Sequence, residues 1–216
     1  MVESDRISIT IDGRRRKAQR GQSILEVANE AGIKIPTLCY HESLSPWGSC
    51  RLCVVEATLG GRTRVVASCV TPAEDGMVVK TNTQRIKEIR RMIIALLLAR
   101  CPGLDVLKEY ARELGVGRIP FEKGDDDCFL CGMCVRACAE IVGIGAIGFA
   151  HRGAKTEVEP PFGLASSACI GCGTCTTICP ARTLTLDKVF ARQTMHRSKD
   201  QIVGRCIICE TYYSGA

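Results

Sequence analysis

The amino-acid sequence predicts an α+β protein: a small sheet around one helix, then a helical pair, then a loop-rich region organised by cysteine. Three observations carry that reading. Residues 1–80 show strand-like alternation broken by hairpin turns, residues 83–115 show helical periodicity, and the 216 residues include fifteen cysteines, eight of which repeat one spacing. Aromatic residues make up only 5% of the chain although hydrophobic residues reach 46%. The core must therefore come from aliphatics, and cysteine must organise what they do not.

The first stretch reads as short strands. Arg6–Ile11 alternates, with Ile7, Ile9 and Ile11 on one face, and Asp12-Gly13 is a strong two-residue hairpin signal before Arg14–Arg20 returns. Ser23 stands as an N-cap for a helix over Ile24–Ala31, and Gly32 stops it. Leu52–Thr58 and Thr63–Ala67 are β-rich and flank Gly60-Gly61, and Met77–Lys80 closes the sheet. This order suits a small β-grasp domain over residues 1–80.

Residues 81–124 form a helical connector. Ile86, Ile89, Ile93, Ile94 and Leu97 keep helical spacing, Pro102-Gly103 breaks it, and Leu104, Leu107, Ala111 and Leu114 form a second stripe. A packed helical hairpin is expected. Residues 125–190 hold two cysteine quartets as an internal repeat, from Cys128 to Cys169. Residues 191–216 are a polar tail with one further CxxC.

An odd cysteine count argues against a fully paired disulfide framework. Residues 1–20 contain no apolar signal-like stretch, and the longest apolar run, Met92–Ala99, is far short of a bilayer span. A cytoplasmic protein using cysteine for metal or redox chemistry is expected.

Cys39, Cys50, Cys53 and Cys69 give C-x10-C-x2-C-x15-C. A [2Fe–2S] cluster needs two thiolates on each iron. A long loop with one ligand, a tight x2 pair and a distant fourth ligand can wrap it. Pro46, Gly48 and Ser49 supply turns in that loop. A zinc site on the same cysteines is the alternative, but zinc motifs usually carry two short knuckles, and only one is present. His41 follows Cys39 closely and reads as a hydrogen-bonding loop residue, since four thiolates complete the site.

Cys128, Cys131, Cys134 and Cys138 form C-x2-C-x2-C-x3-C, and Cys169, Cys172, Cys175 and Cys179 repeat it, with Pro180 following. This is the bacterial two-cluster signature, in which the fourth cysteine of each run ligates the other cluster. Cys128, Cys131, Cys134 and Cys179 are expected to hold one [4Fe–4S] cubane, and Cys169, Cys172, Cys175 and Cys138 the second. Gly132, Gly171, Gly173 and Ala137 leave room for the cubanes. Each oxidised four-thiolate cluster carries a charge of about −2. Three of them would offset the formal net charge of +6, so the basic balance need not signal nucleic acid.

The order of these parts resembles one family. From residue 1 to about 190 the chain is similar to the diaphorase iron–sulfur subunit of bidirectional NAD-linked nickel–iron hydrogenases. It is equally similar to the N-terminal region of the large iron–sulfur subunit of respiratory complex I. The stretches IPTLCYHESLSPWGSCRLCVVE, TPAEDGMVVKTNTQRIKEIRRMIIALLLA and CVRACAEIVGIGAIGFAHRGAKTEV carry the resemblance. The family normally inserts H-x3-C-x2-C-x5-C after the first connector helix, for a further cluster with one histidine ligand. Here only Cys101 lies between Cys69 and Cys128, and no histidine lies between His41 and His151. That cluster is expected to be absent, with Arg100–Gly103 closing over the gap and the electron route altered from the family's usual one.

The resemblance implies an electron-transfer subunit of an NAD(P)H-linked complex. Its partners would be an NADH-binding flavoprotein subunit and a further redox subunit, a hydrogenase or a bifurcating enzyme, with soluble ferredoxin as another carrier. The sequence has no G-x-G-x-x-G after a strand and no P-loop, so this chain is expected to bind no flavin or NAD itself and to have no catalytic residues. A subunit of an electron-bifurcating transhydrogenase or formate dehydrogenase, a free ferredoxin-like shuttle and a redox sensor are the competing readings. Cys101, Cys206 and Cys209 are left over. They make either an extra metal site or an interface loop with plain structural thiols.

Overall fold

The computed structural model describes residues 6–163 and 166–184, and the backbone of 203–205 and 212–213. The chain divides into two compact units, Met1–Tyr40 with Pro46–Asp126, and His41–Ser45 with Asp127–Ala216.

In the first unit, β1 (Arg6–Ile11), β2 (Arg14–Gln19), β3 (Val54–Leu59), β4 (Arg62–Ala67) and β5 (Val78–Lys80) make one sheet in the order β2-β1-β5-β3-β4. The pairing is antiparallel except between β1 and β5, which run parallel. Ile7, Ile9 and Ile11 all point into the core, where α1 (Ile24–Glu30) lays down Ile24, Leu25, Val27 and Ala28. Burying each large aliphatic contributes about 1.5–3 kcal/mol, which is what fixes the strand register against a one-residue slip.

Asp12 and Gly13 both take positive φ (47° and 79°), as a two-residue turn matched to strand twist requires. The Asp12 carboxylate also accepts from the Thr81 backbone N–H (2.8 Å) and hydroxyl (2.6 Å), tying the turn to the chain leaving β5. Helix α1 starts on a capping box: the Ser23 hydroxyl accepts from the Glu26 N–H (3.2 Å), and the Glu26 carboxylate accepts from the Ser23 N–H (2.6 Å). β2 is an edge strand, and its exposed Arg14, Arg15 and Lys17 discourage a further strand from pairing there.

The connector also belongs to this unit. Thr83 caps α2 (Gln84–Arg100), Pro102-Gly103 turns the chain, and α3 (Asp105–Leu114) ends on left-handed Gly115. The Arg91 Nε–H donates to the Leu114 carbonyl at 2.7 Å, closing the helical hairpin. One expectation is revised. The buried residues of α2 are Ile86, Arg90, Ile94, Ala95, Leu98 and Ala99, while Ile89, Ile93 and Leu97 are half-buried and Met92 and Leu96 are exposed. Residues 92–99 are apolar on nearly every side, so periodicity could not select the inward face. The inward row runs 86-90-94-98 and carries an arginine.

In the second unit, α4 (Met133–Arg136) passes into a widened turn over Ala137–Ile141, where the Val142 N–H reaches back five residues to the Ala137 carbonyl (3.1 Å). β6 (Gly148–Ala150) and β7 (Glu157–Glu159) pair antiparallel, and α5 (Thr174–Thr177) follows. Both short helices start on a left-handed glycine, Gly132 and Gly173, each with φ 73°. The internal repeat read in the sequence is thus a repeat of structure. β8 (Val203–Arg205) and β9 (Tyr212–Tyr213) form a two-stranded ribbon. No helix among the described residues is long and apolar enough to cross a membrane.

Candidate metal centres

The first four cysteines come from the loops of the β-grasp sheet. Cys39 precedes the long loop, Cys50 and Cys53 flank a turn in which Arg51 takes a left-handed conformation (φ 59°), and Cys69 follows β4. The thiols fall into two pairs. Cys53 Sγ lies 3.4 Å from Cys69 Sγ. Cys39 Sγ accepts from the Cys50 N–H at 3.4 Å and shares a hydrogen bond with the Cys50 thiol.

The electrostatics say the same. The Cys50 thiol is pushed up, first by its bond with Cys39 and then by burial. Cys69 is pushed up by its bond with Cys53, by burial and by the charges of Cys53, Cys39 and Cys50. Cys53 is held down to about 6, chiefly because Cys69 donates to its sulfur. Two thiols sharing one proton are a pair poised to exchange that proton for a metal. A tetrahedral metal with thiolate bonds of ~2.3 Å sets its sulfurs ~3.8 Å apart. The Cys53–Cys69 spacing of 3.4 Å is ~0.4 Å shorter than that, the length of a thiol–thiol hydrogen bond, and two such pairs are the number of ligand pairs a two-iron cluster uses.

The connector helices brace these loops, which sequence reasoning missed. Arg90 of α2 is only 5% exposed, and it donates to the carbonyls on either side of Cys53: Nε–H to Leu52 O at 3.1 Å and Nη2–H to Val54 O at 2.7 Å. Tyr110 of α3 donates its hydroxyl to the Thr37 carbonyl at 3.1 Å, two residues before Cys39. The buried Ser68 hydroxyl donates to the Cys53 carbonyl at 2.8 Å. The only signal for these contacts was an arginine inside an apolar helical stripe.

The two quartets lie in the second unit. Burial pushes Cys134 up to about 12, and the thiols acting on it are Cys131, Cys179, Cys128 and Cys175, in that order. Burial likewise pushes Cys175 up to about 12, with Cys172, Cys169 and Cys138 acting on it. Each third cysteine therefore feels the first two of its own run and the fourth of the other run, and Cys134 also feels Cys175. Backbone amides reach sulfur as well: Leu130 N–H to Cys128 Sγ at 3.4 Å and Ala146 N–H to Cys138 Sγ at 3.2 Å. Leu130 itself is left-handed (φ 56°).

His41 Nδ1 accepts from the Ser43 N–H at 3.1 Å, the loop role expected of it. In the same segment Ser45 donates its N–H to the Glu140 carboxylate at 2.7 Å, and its carbonyl accepts from Arg136. Cys101 is fully buried at the end of α2. Cys206 and Cys209 lie outside the described residues.

Known proteins share both halves of this arrangement. Residues 4–84 match the 2Fe-2S iron-sulfur cluster binding domain, and residues 166–185 match the 4Fe-4S binding domain. The class is therefore an iron–sulfur protein with both kinds of ferredoxin module. A chain of the NAD+-reducing [NiFe]-hydrogenase in the H2-reduced state superimposes with a TM-score of 0.65 at 30% identity, over 72% of this chain and 75% of that one. The chain is 34% identical to the NADP-reducing hydrogenase subunit HndD of Solidesulfovibrio fructosivorans, over 82% of its length and 36% of that protein. It is 32% identical to the NADH-ubiquinone oxidoreductase 75 kDa subunit of Reclinomonas americana, over 71% of its length and 26% of that protein. This chain belongs to the family of iron–sulfur subunits of NAD(P)H-linked oxidoreductases that includes these hydrogenase and NADH-ubiquinone oxidoreductase subunits. It spans only about a quarter to a third of the length of these curated relatives.

Proposed function

We propose that this chain conducts single electrons within an NAD(P)H-linked complex, between a flavoprotein subunit and a second redox subunit of hydrogenase type. Twelve cysteines carry the reading. Cys39 with Cys50, and Cys53 with Cys69, would hold the two irons of one [2Fe–2S] cluster. Cys128, Cys131, Cys134 and Cys179 would hold one [4Fe–4S] cluster, and Cys169, Cys172, Cys175 and Cys138 the other. The single observation that supports the site assignment is that the thiols acting on Cys134 include Cys131, Cys179 and Cys128, while those acting on Cys175 are Cys172, Cys169 and Cys138.

The clusters, when bound, supply one-electron redox chemistry; the protein supplies ligands, burial, hydrogen bonds and charge. The chain's own residues hold the thiols in place. Arg90, Tyr110 and Ser68 fix the loops of the first site, and the amides of Leu130 and Ala146 bond to ligand sulfurs in the second unit. Crossed fourth ligands place the two cubanes close together, which favours transfer between them. A cytoplasmic location goes with this role.

Iron and acid-labile sulfide analysis of the purified chain, with EPR of the reduced protein, tests the reading. It predicts about 10 irons, from one [2Fe–2S] and two [4Fe–4S] centres. About 14 would add a further centre at Cys101, Cys206 and Cys209, and fewer than about 8 would remove one assigned here. Copurification of the native complex separates the hydrogenase setting from an electron-bifurcating transhydrogenase or formate dehydrogenase. NADH:viologen activity in the isolated chain, without a flavoprotein, would sink the conduction role.

A further inference from the structure

Arg90 is the least expected residue of the first unit. It sits in the middle of α2, on the row that also buries Ile86 and Ile94, and only 5% of it is exposed. Its guanidinium is bonded through Nε and Nη2 to two neutral carbonyls, Leu52 O and Val54 O. Those carbonyls bracket Cys53, one of the four thiols of the first centre. Burying a cation costs several kcal/mol unless something compensates. Two hydrogen bonds to neutral acceptors compensate only in part. What remains is attraction to negative charge, and the charges that act on Arg90 are Cys53 and then Asp12.

If the role were only to satisfy two carbonyls, neutral donors would serve without the desolvation penalty. A positive charge held in low dielectric beside a thiolate-bound centre has a further effect. One-electron reduction makes such a centre more negative by one charge. A fixed cation stabilises the reduced form more than the oxidised form, and low dielectric strengthens this.

We propose that Arg90 sets the reduction potential of the [2Fe–2S] centre, raising it by a buried positive charge carried on the connector helix. The inference rests on the reading of Cys39, Cys50, Cys53 and Cys69 as a [2Fe–2S] site. It gives α2 a role beyond spacing: the connector is electrically part of the first centre. It also accounts for the choice of arginine. The planar fork reaches both carbonyls while keeping its charge at any accessible pH, which a buried lysine does less securely. Arg90 is a positioning and tuning residue and touches no substrate.

The test is an EPR-monitored redox titration of the full-length, cluster-loaded chain. Arg90→Met keeps the stem length and removes the charge. At the wild-type midpoint, its ratio of reduced to oxidised [2Fe–2S] should fall at least tenfold, which for one electron is a shift of about 59 mV to lower potential. Arg90→Lys keeps the charge and should stay within about threefold of wild type. A purely structural role predicts the opposite grouping, with both variants altered in cluster content or thermal stability and neither moved in potential.

Asp12→Asn is the second arm. Asn-Gly suits the hairpin as well as Asp-Gly does, and the amide oxygen keeps one of the two acceptors that Thr81 uses. Removing the carboxylate that opposes Arg90 should raise the reduced fraction at the wild-type midpoint. That arm stands even if Arg90→Met fails to load a cluster. An unmoved potential in a cluster-loaded Arg90→Met, or Asp12→Asn unmoved or lowered where Arg90→Met cannot be loaded, overturns the inference while leaving the [2Fe–2S] site intact. Absence of a [2Fe–2S] signal in the wild type overturns the site reading itself.

Discussion

The crossing of the fourth ligands can be tested by which pairs of substitutions fall on the same cluster. Cys134 is acted on by Cys131, Cys179, Cys128 and, last, Cys175, and Cys175 by Cys172, Cys169 and Cys138. On those sets, Cys128→Ala removes a ligand from one cubane and Cys179→Ala removes another ligand from the same one. The double variant should lose about four irons of ten and keep about six. Cys128→Ala combined with Cys138→Ala strikes both cubanes and should leave about two, those of the [2Fe–2S] centre. If each run instead kept its own fourth cysteine, the two double variants would exchange results. Iron and sulfide analysis reads the counts. The [2Fe–2S] EPR signal serves as an internal standard, because its four thiols lie in the other unit. About six irons in the Cys128–Cys138 double variant, with about two in the Cys128–Cys179 variant, would refute the crossed assignment.

Three further outcomes follow from the geometry. Ser23→Ala removes half of the capping box of α1 and should cost about 1 kcal/mol, read from chemical denaturation of the full chain followed at the [2Fe–2S] absorbance. Gly124→Ala places a Cβ 3.0 Å from the Arg100 carbonyl oxygen, a backbone atom that cannot swing aside. It should cost about 1–3 kcal/mol in the same assay, and an unchanged midpoint would contradict the packing. In the metal-free chain, Cys134 and Cys175 stay protonated well above the ordinary thiol range, to about 12. Their folded values lie above the unfolded value of 9.0, so their contribution to folding is fully present below about pH 9 and is lost as pH rises through about 12. Circular dichroism should show the metal-free protein losing stability across that alkaline window, and Cys134→Ala should flatten the slope.

Much of this was legible in the sequence because cysteine spacing and turn chemistry act over short range. Asp12-Gly13 and Gly60-Gly61 fix hairpins through the φ values they permit, and Ser23 with Glu26 fixes the start of α1; each signal is complete within a few residues. The two quartets announce themselves by repetition, and the structure repeats Gly132 and Gly173 in the same backbone state. What was hidden depends on contacts across long sequence separation or on very short elements. β6 and β7, at three residues each, are too brief to show a period. The bonds from Arg90 to the carbonyls around Cys53 and from Tyr110 to Thr37 join helices to loops more than thirty residues away, and an arginine within an apolar helix is the one local mark of them. The face of α2 was misjudged for a related reason: where apolar residues surround a helix, only its neighbours decide which row is buried.

That helix now links two features that the sequence presents separately. At one end, α2 stops at Cys101, which is fully buried, and the chain returns so that the Gly124 N–H donates to the Ala99 carbonyl at 2.7 Å while Arg100 pairs with Asp126 at 2.7 Å. The chain from Gln84 to Leu114 is thus a closed helical hairpin, and between Cys69 and Cys128 the sequence has Cys101 as its one cysteine and no histidine. The match to the hydrogenase subunit runs over 210 aligned positions yet covers 82% of this chain, so that relative carries residues opposite gaps here. In the middle, the same helix delivers Arg90 to the carbonyls around Cys53. On the proposed reading of three centres, the chain has one fewer place to adjust its electron path than a four-centre carrier, and potentials at those three centres carry more of that control. The buried cation proposed for the first centre is one physical means of doing so, since it would act on the centre without needing an additional ligand.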